Sequence, residues 1–237
     1  MQKAIVIGAT SGIGKGLAEI LVYNNYKTGI TGRRKLLLEE LKATNPDMFV
    51  TAHFDVTDNS YEVNLDNLIN ELGGLDLFIY NSGTGNINKE LAIATDEETI
   101  AVNVLAFNRF VSFAYNYFEK QGYGHLVAIS SIAGYRGAQY IESYNASKAY
   151  QHKYLQGLRK RAFKHKSKII ITDIRPGLVD TDMAKGAGLF WVQPVKKVVN
   201  QIFKAIKNKK HIKTVSKRWM LIGWLMRNLP SFIYNRL

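Results

Sequence analysis

Cysteine is absent from the 237 residues. This excludes disulfides, thiolate metal sites, thiol nucleophiles and iron–sulfur clusters, and it suits a reducing compartment, so the cytoplasm is the expected address. No apolar run approaches the roughly 18 residues of a membrane span. The first apolar stretch ends at Gly8, too short for a secretory signal, and no cleavage site follows it. The five histidines, His53, His125, His152, His165 and His211, lack metal-ligand spacing, and no paired carboxylates suggest hydrolysis, so no metal site is expected. Low-complexity segments and solenoid repeats are also missing. Acidic residues are confined to positions 1–192, which are close to neutral at +2, whereas 193–237 holds eleven Lys and Arg and neither Asp nor Glu. The near-neutral body and the cationic end pose separate questions.

The body is ordinary globular protein, 46% apolar and 22% charged, and its length suits one domain with a tail. Residues 3–7 form a continuous apolar run, the pattern of a strand buried on both faces, and lead into Gly8-Ala-Thr-Ser-Gly12-Ile-Gly14 and a helix over 15–23. The alternation then repeats. Strands are predicted at 28–31, 49–54, 75–80, 125–130 and 168–174, and helices at 34–44, 63–72, 97–120 and 143–164. Such alternation implies an α/β, doubly wound Rossmann-type parallel sheet flanked by helices, a single domain. Its catalytic core is placed at 1–192, with 193–237 as a basic helix, strand and helix extension of the same domain.

Four places carry candidate chemistry. Gly8, Gly12 and Gly14 let the chain turn tightly, bring backbone N–H groups to a phosphate and aim a helix N-terminus at it; a ligand-free glycine turn is the alternative. The second strand ends Thr31-Gly32-Arg33-Arg34, with no carboxylate for a free ribose hydroxyl but two guanidiniums for a 2′-phosphate, so NADPH is predicted over NADH. Asp55 could meet an adenine amino group or serve as a turn or helix cap. Tyr144 and Lys148 share one helix face, where an ammonium could lower the phenol pKa, and Ser131 ends a strand thirteen residues earlier at the edge where such sheets bind ligands. Asn81-Ser82-Gly83 ends the fourth strand where a planar ring could approach, and Asn103, costly in mid-helix, needs a bonding partner.

In this order and spacing the residues resemble the short-chain dehydrogenases/reductases, and the resemblance takes in Gly8, Gly12, Gly14, Asp55, Asn81, Gly83, Asn103, Ser131, Tyr144, Lys148, Pro176, Gly177 and Thr181. It implies an Asn103, Ser131, Tyr144 and Lys148 tetrad. Tyr144 would protonate a carbonyl oxygen as hydride arrives, Ser131 would hold that oxygen, Lys148 would bind the nicotinamide ribose and depress the Tyr144 pKa, and Asn103 would keep a relay water. It also implies cofactor contacts from Thr10, Ser11, Ile13, Val56 and, at the carboxamide end, Val179 and Thr181. Ile7 stands where the family usually has Thr, and Ser82 where it usually has Ala.

Substrate choice falls to 182–194, where glycines that permit movement precede Leu189, Phe190 and Trp191; a lid over an apolar substrate is one expectation and plain packing the other. An amphipathic helix over 195–210, a strand at 212–215 and a nearly all-apolar helix over 217–227 complete the chain. This cationic end could bury itself in a homodimer or homotetramer, or lie on an anionic membrane with Trp219 and Trp224 at headgroup level. Nucleic acid is not favoured, since no recognition motif accompanies the charge. The function expected is an NADP(H)-dependent oxidoreductase interconverting a carbonyl and an alcohol; the alternatives are a membrane-peripheral reductase of a lipid-linked ketone and a non-catalytic cofactor sensor.

Overall fold

The computed structural model describes residues 1–183 and 190–236. Seven strands, β1 (Gln2–Ile7), β2 (Tyr26–Gly32), β3 (Phe49–His53), β4 (Leu77–Tyr80), β5 (Tyr123–Ile129), β6 (Lys168–Arg175) and β7 (Ile212–Thr214), lie parallel in the order β3-β2-β1-β4-β5-β6-β7. The chain winds outward from β1 to β3, crosses back to β4 and winds the other way. Ile7 is level with Thr31 on one side and Tyr80 on the other, so the reversal leaves a crevice at the carboxyl ends of β1 and β4.

Alternate side chains along each strand enter different layers, which is why the central strands read as continuous apolar runs. Ile5, Ile7, Phe78, Tyr80, Leu126 and Ile171 pack with Leu65 and Leu68 of α3 (Tyr61–Leu72), with Phe107, Phe110 and Phe118 of α5 (Phe107–Gln121), and with Leu155 of α6 (Glu142–Lys164). Ala4, Val6, Ile79, Val127 and Ile174 pack on the opposite face with Leu17 and Leu21 of α1 (Gly12–Tyr23), Leu38 and Leu41 of α2 (Lys35–Ala43), and Val198, Ile202 and Ile206 of α7 (Val195–Lys207). This is the doubly wound parallel sheet anticipated from the alternation of elements.

Three local departures matter for the site. Helix α1 begins at Gly12 rather than at residue 15, so the glycine turn and the helix N-terminus are one structure. The helix expected over 97–120 starts earlier, as α4 (Ile93–Ile100), and passes through a π-helical segment, Ala101–Ala106, before α5. An extra residue per turn at this point swings Asn103 inward, a device typical of functional sites. The end of the chain folds as α8 (Lys217–Asn228) and α9 (Ser231–Tyr234), and α8 is not apolar all round in its packing: Trp219 and Gly223 face the body while its opposite side is exposed. No helix among the described residues is long and apolar enough to cross a membrane.

Two imidazoles are buried in this architecture. Burial pushes His125, whose Nε2 lies 2.8 Å from the Thr172 hydroxyl, and His152 down to about 4 from the ordinary 6.5. Between those values the unfolded chain binds more protons than the folded one. Stability is therefore complete above pH 6.5 and declines as pH falls towards 4, by about 1.4 kcal/mol per group for each pH unit. Thermal melts across this range should show Tm falling steadily, with the fall reduced in a His125→Gln/His152→Gln double variant; equal slopes for the two proteins would refute this.

Candidate active site

At the crevice the first βα turn is built by glycine. Gly8 and Gly12 adopt φ of +83° and +53°, and a Cβ at Gly12 would meet the Thr181 methyl at 2.9 Å. Asn81 fastens the turn to β4, its Nδ2 donating to the Gly8 carbonyl at 2.8 Å and its N–H to the Ile7 carbonyl at 3.0 Å. With Ile7 and Ser82 at their positions, the β1 to β4 tie is thus made through Asn81. The first N–H groups of α1 open onto the turn, an arrangement that fits a pyrophosphate.

Arg34 lies over this turn. Its Nε and Nη2 donate to the Thr10 hydroxyl at 3.1 and 2.6 Å, and Nη2 also to the Ser11 hydroxyl at 2.7 Å. Arg34 is therefore tied to the glycine turn. Arg33 extends outward, 72% exposed, with Nη1 3.6 Å from the Asp55 carboxylate. Asp55 closes a turn by accepting from the Thr57 N–H and hydroxyl at 2.9 and 2.8 Å. Partial burial pushes its carboxyl up, but the two Thr57 bonds and Arg33 hold it below its ordinary value. The side chain of Val56 enters one core layer and that of Ile13 packs against the other.

The candidate tetrad converges across the crevice from three elements. Ser131, at the end of β5, accepts from the Ala133 N–H at 3.1 Å and sits 3.4 Å from the Pro176 carbonyl. Tyr144, on the first turn of α6, is half-buried; burial raises its pKa, and a hydrogen bond with Ser131 pulls it back in part. This differs from the expected depression by Lys148: dehydration of the phenolate sets the direction, and the opposing pull comes from Ser131. Lys148 lies one helical turn further on, with Nζ 5.6 Å from the centre of the Tyr144 ring. Burial lowers its pKa to about 8, opposed by the charge of Asp173. Gly83 passes close above: a Cβ there would lie 3.3 Å from Asn103 Oδ1 and 3.4 Å from Lys148 Nζ. The crevice floor thus accommodates a flat ring beside an ammonium, and the residues present fit a nicotinamide dinucleotide.

Asn103 is fully buried, and its side-chain amide and its carbonyl have protein partners. Oδ1 accepts from the Thr84 N–H at 2.9 Å, and Nδ2 donates to the Thr84 carbonyl at 2.7 Å and the Ser147 hydroxyl at 3.0 Å. Its carbonyl accepts from Gln151 Nε2 at 2.9 Å, and Gln151 Oε1 in turn accepts from Lys148 Nζ at 3.2 Å. An amide side chain therefore joins the Asn103 carbonyl to the Lys148 ammonium. Gln151 is the residue that sequence reasoning missed; its one signal is a polar side chain three positions after Lys148, on the same helix face. Gly85, against which the Tyr144 ring packs at 2.6 Å from a notional Cβ, was equally unmarked.

Pro176 and Gly177 lead to Val179, which is buried, and to Thr181 over Gly12. Gly177 has no room for a side chain because the Trp219 indole lies directly on it. Phe190 and Trp191 pack around the same indole, tilted and edge-on, at centroid distances of 5.3 and 6.5 Å, while remaining half-exposed. Leu189, the third apolar residue of the expected lid, lies outside the described residues. Beneath the site a buried pair anchors the turn after β5: Arg175 Nη2 is 2.6 Å from the Asp173 carboxylate, which also accepts from Ser130 at 2.5 Å, and Arg175 Nη1 donates to Tyr135 at 3.1 Å.

The Lys148 environment generates a test. With its pKa near 8, the ammonium is lost as pH rises through that value, so dinucleotide affinity should weaken above pH 8 in a titration followed by cofactor fluorescence. Gln151→Leu removes an acceptor and should move the inflection to lower pH, whereas Gln151→Glu supplies a carboxylate and should move it higher. An inflection indifferent to both changes would show that Gln151 does not act on Lys148.

Comparison with known proteins identifies the family and the fold. The family model described as short chain dehydrogenase matches residues 2–189. An uncharacterized oxidoreductase of Mycobacterium tuberculosis is 32% identical over 196 residues, covering 78% of this chain and 77% of that protein. Another, from Staphylococcus aureus, is 35% identical over 185 residues, covering 75% and 78%. Among solved structures, a short chain dehydrogenase from Burkholderia cenocepacia in complex with NADP superimposes with a TM-score of 0.84 at 20% identity, over 100% of this chain and 99% of that one. A short chain dehydrogenase/reductase from Burkholderia phymatum in complex with NAD gives 0.83 at 18%, over 94% and 92%. With a family model spanning most of its length, this chain belongs to the short-chain dehydrogenases.

Proposed function

We propose that this protein is an NADPH-dependent oxidoreductase that interconverts a carbonyl and a secondary alcohol, with Tyr144 as its general acid and base. The observation that carries the reading is the meeting of the Ser131 and Tyr144 hydroxyls and the Lys148 ammonium at the crevice that begins with the Arg34-covered glycine turn. NADP(H) bound there supplies or takes up the hydride. The chain's own residues do the rest. Ser131 donates to the carbonyl oxygen and fixes its position; Tyr144 passes its proton to that oxygen as negative charge develops on it. Lys148, held by Gln151 and charged at neutral pH, orients the ribose and offsets the charge left on Tyr144. With NADPH as the cofactor, reduction is the working direction.

Arg33 and Arg34 support NADP(H) over NAD(H), since a guanidinium meets a 2′-phosphate with charge-assisted hydrogen bonds and no carboxylate at the end of β2 is available for a free hydroxyl. Phe190 and Trp191 support an apolar or partly apolar substrate. Exposed Leu105, in the π-helical segment that leads into α5, and Phe163 of α6 support a homodimer or homotetramer through these helices, and the lack of cysteine supports a cytoplasmic address.

Tyr144→Phe should reduce carbonyl turnover by about 10²–10⁴-fold and leave the Kd for NADPH within a few-fold. Full turnover in that variant would remove Tyr144 from the chemistry, and NADPH binding without turnover of any ketone by the parent protein would make it a sensor. Arg33→Ser/Arg34→Ser should weaken NADPH by about 10–100-fold while sparing NADH, the scale of one or two charged hydrogen bonds. A parent protein that prefers NADH would overturn the cofactor assignment.

A further inference from the structure

The outer face of α8 is unlike any other helical surface described in the protein. Trp219 and Gly223 turn inward, Gly223 against the Tyr135 ring, and the opposite side presents Met220, Leu221, Trp224 and Leu225 at 57, 57, 61 and 40% exposure. These positions fall on one side of a helix. Phe232 and Ile233 of α9 add two further exposed apolar side chains. Large apolar groups gathered on one exposed helix mark a surface meant to be covered.

The charge around this face says what covers it. Lys217 and Arg218 stand at its beginning and Arg227 at its end, within a segment of eleven Lys and Arg and no acid. A second copy would press two such segments together with no acidic residue in either to offset them, at a Coulombic cost that rises as water is excluded. An anionic bilayer supplies the missing charge and an apolar phase at the same depth. We propose that α8 docks in the plane of an anionic lipid surface, with Leu221 and Trp224 at the boundary between headgroups and acyl chains and Lys217 and Arg227 at the lipid phosphates.

The helix is held ready for this. Ser216 caps its start by accepting from the Trp219 N–H at 3.4 Å, and Arg136 clasps its end, Nε donating to the Met226 carbonyl at 2.8 Å and Nη2 to the Leu229 carbonyl. Arg136 also lies over the Tyr234 ring at 5.0 Å, which ties α9 to the same anchor. Docking therefore costs little ordering. The inner face of α8 carries Trp219, the indole that Phe190 and Trp191 pack around. A membrane on the outer face thus lies one helix diameter from the substrate side of the crevice, and, resting on the reductase reading, the substrate class becomes a carbonyl compound held in or at the bilayer.

Flotation of the full chain with vesicles tests the docking without any turnover. The parent protein should float with equimolar phosphatidylcholine and phosphatidylglycerol but not with phosphatidylcholine alone, and added salt should weaken the binding. Leu221→Ser/Trp224→Ser and Lys217→Gln/Arg227→Gln should each weaken it by about tenfold or more, with circular dichroism melts showing both variants folded. Tryptophan emission should shift to the blue on binding in the parent and not in Trp224→Phe. Failure of the parent to float, or flotation unchanged in both double variants, overturns the proposal. So does a vesicle-free dimer that Leu221→Ser/Trp224→Ser converts to monomer, which would make a second copy the cover, or binding to duplex DNA in place of vesicles. Because no step is read through activity, a negative result here leaves the reductase reading standing, and loss of that reading leaves the docking standing.

Discussion

A lysine ammonium with almost no contact with water has to be kept charged, and much of the molecule around the crevice is arranged to do so. Lys148 is 4% exposed. Its dehydration is offset by the Ile129 carbonyl at the end of β5, the Gln151 side chain one turn along α6, and the charge of Asp173 on β6. Each of these is placed by a different part of the fold. β5 and β6 must pair in register for both Ile129 and Asp173 to act on it, and the π-helical segment must bring the Asn103 carbonyl within reach of Gln151. A single buried cation thereby couples the sheet, α6 and the helix that crosses it.

The same logic extends to the other side of the crevice, where the aim is to hold backbone N–H groups open rather than to satisfy a charge. Gly8 and Gly12 accept backbone angles that other residues resist, Asn81 pins the turn from β4, and Arg34 spans Thr10 and Ser11. The two halves meet at Gly83, whose missing side chain leaves the gap between them.

Much of this was legible in the sequence, because the features concerned are local. The continuous apolar run at 3–7, the spacing of Gly8, Gly12 and Gly14, and the four-residue interval from Tyr144 to Lys148 each express a rule of backbone geometry or helix periodicity. The mid-helix cost of Asn103 announced that it must bond to something, and it does, through Thr84 and Ser147. What could not be read were contacts between segments distant in sequence. Gln151 looks like any helix-surface glutamine until the π-helical segment places a carbonyl 48 residues away against it. Likewise the 217–227 stretch reads as apolar all round, since only the position of Tyr135 and Gly177 decides that Trp219 and Gly223 are the inner side. The direction of the Tyr144 pKa was misread for the same reason: depth of burial belongs to the assembled pocket, not to the Tyr and Lys spacing.

The indole of Trp219 lying on Gly177 has a consequence for how the protein comes into being. The loop that follows β6 carries Val179 and Thr181 to the glycine turn, and its back is covered by a side chain supplied 42 positions later in the chain. β7, which closes the sheet beside β6, also comes from that late segment. A nascent chain that has emerged only as far as residue 192 owns every member of the tetrad yet has neither the last strand nor the indole against which that loop is set. Completion of the crevice therefore waits on residues 212–219, and this segment closes the catalytic half rather than being an appendage to it.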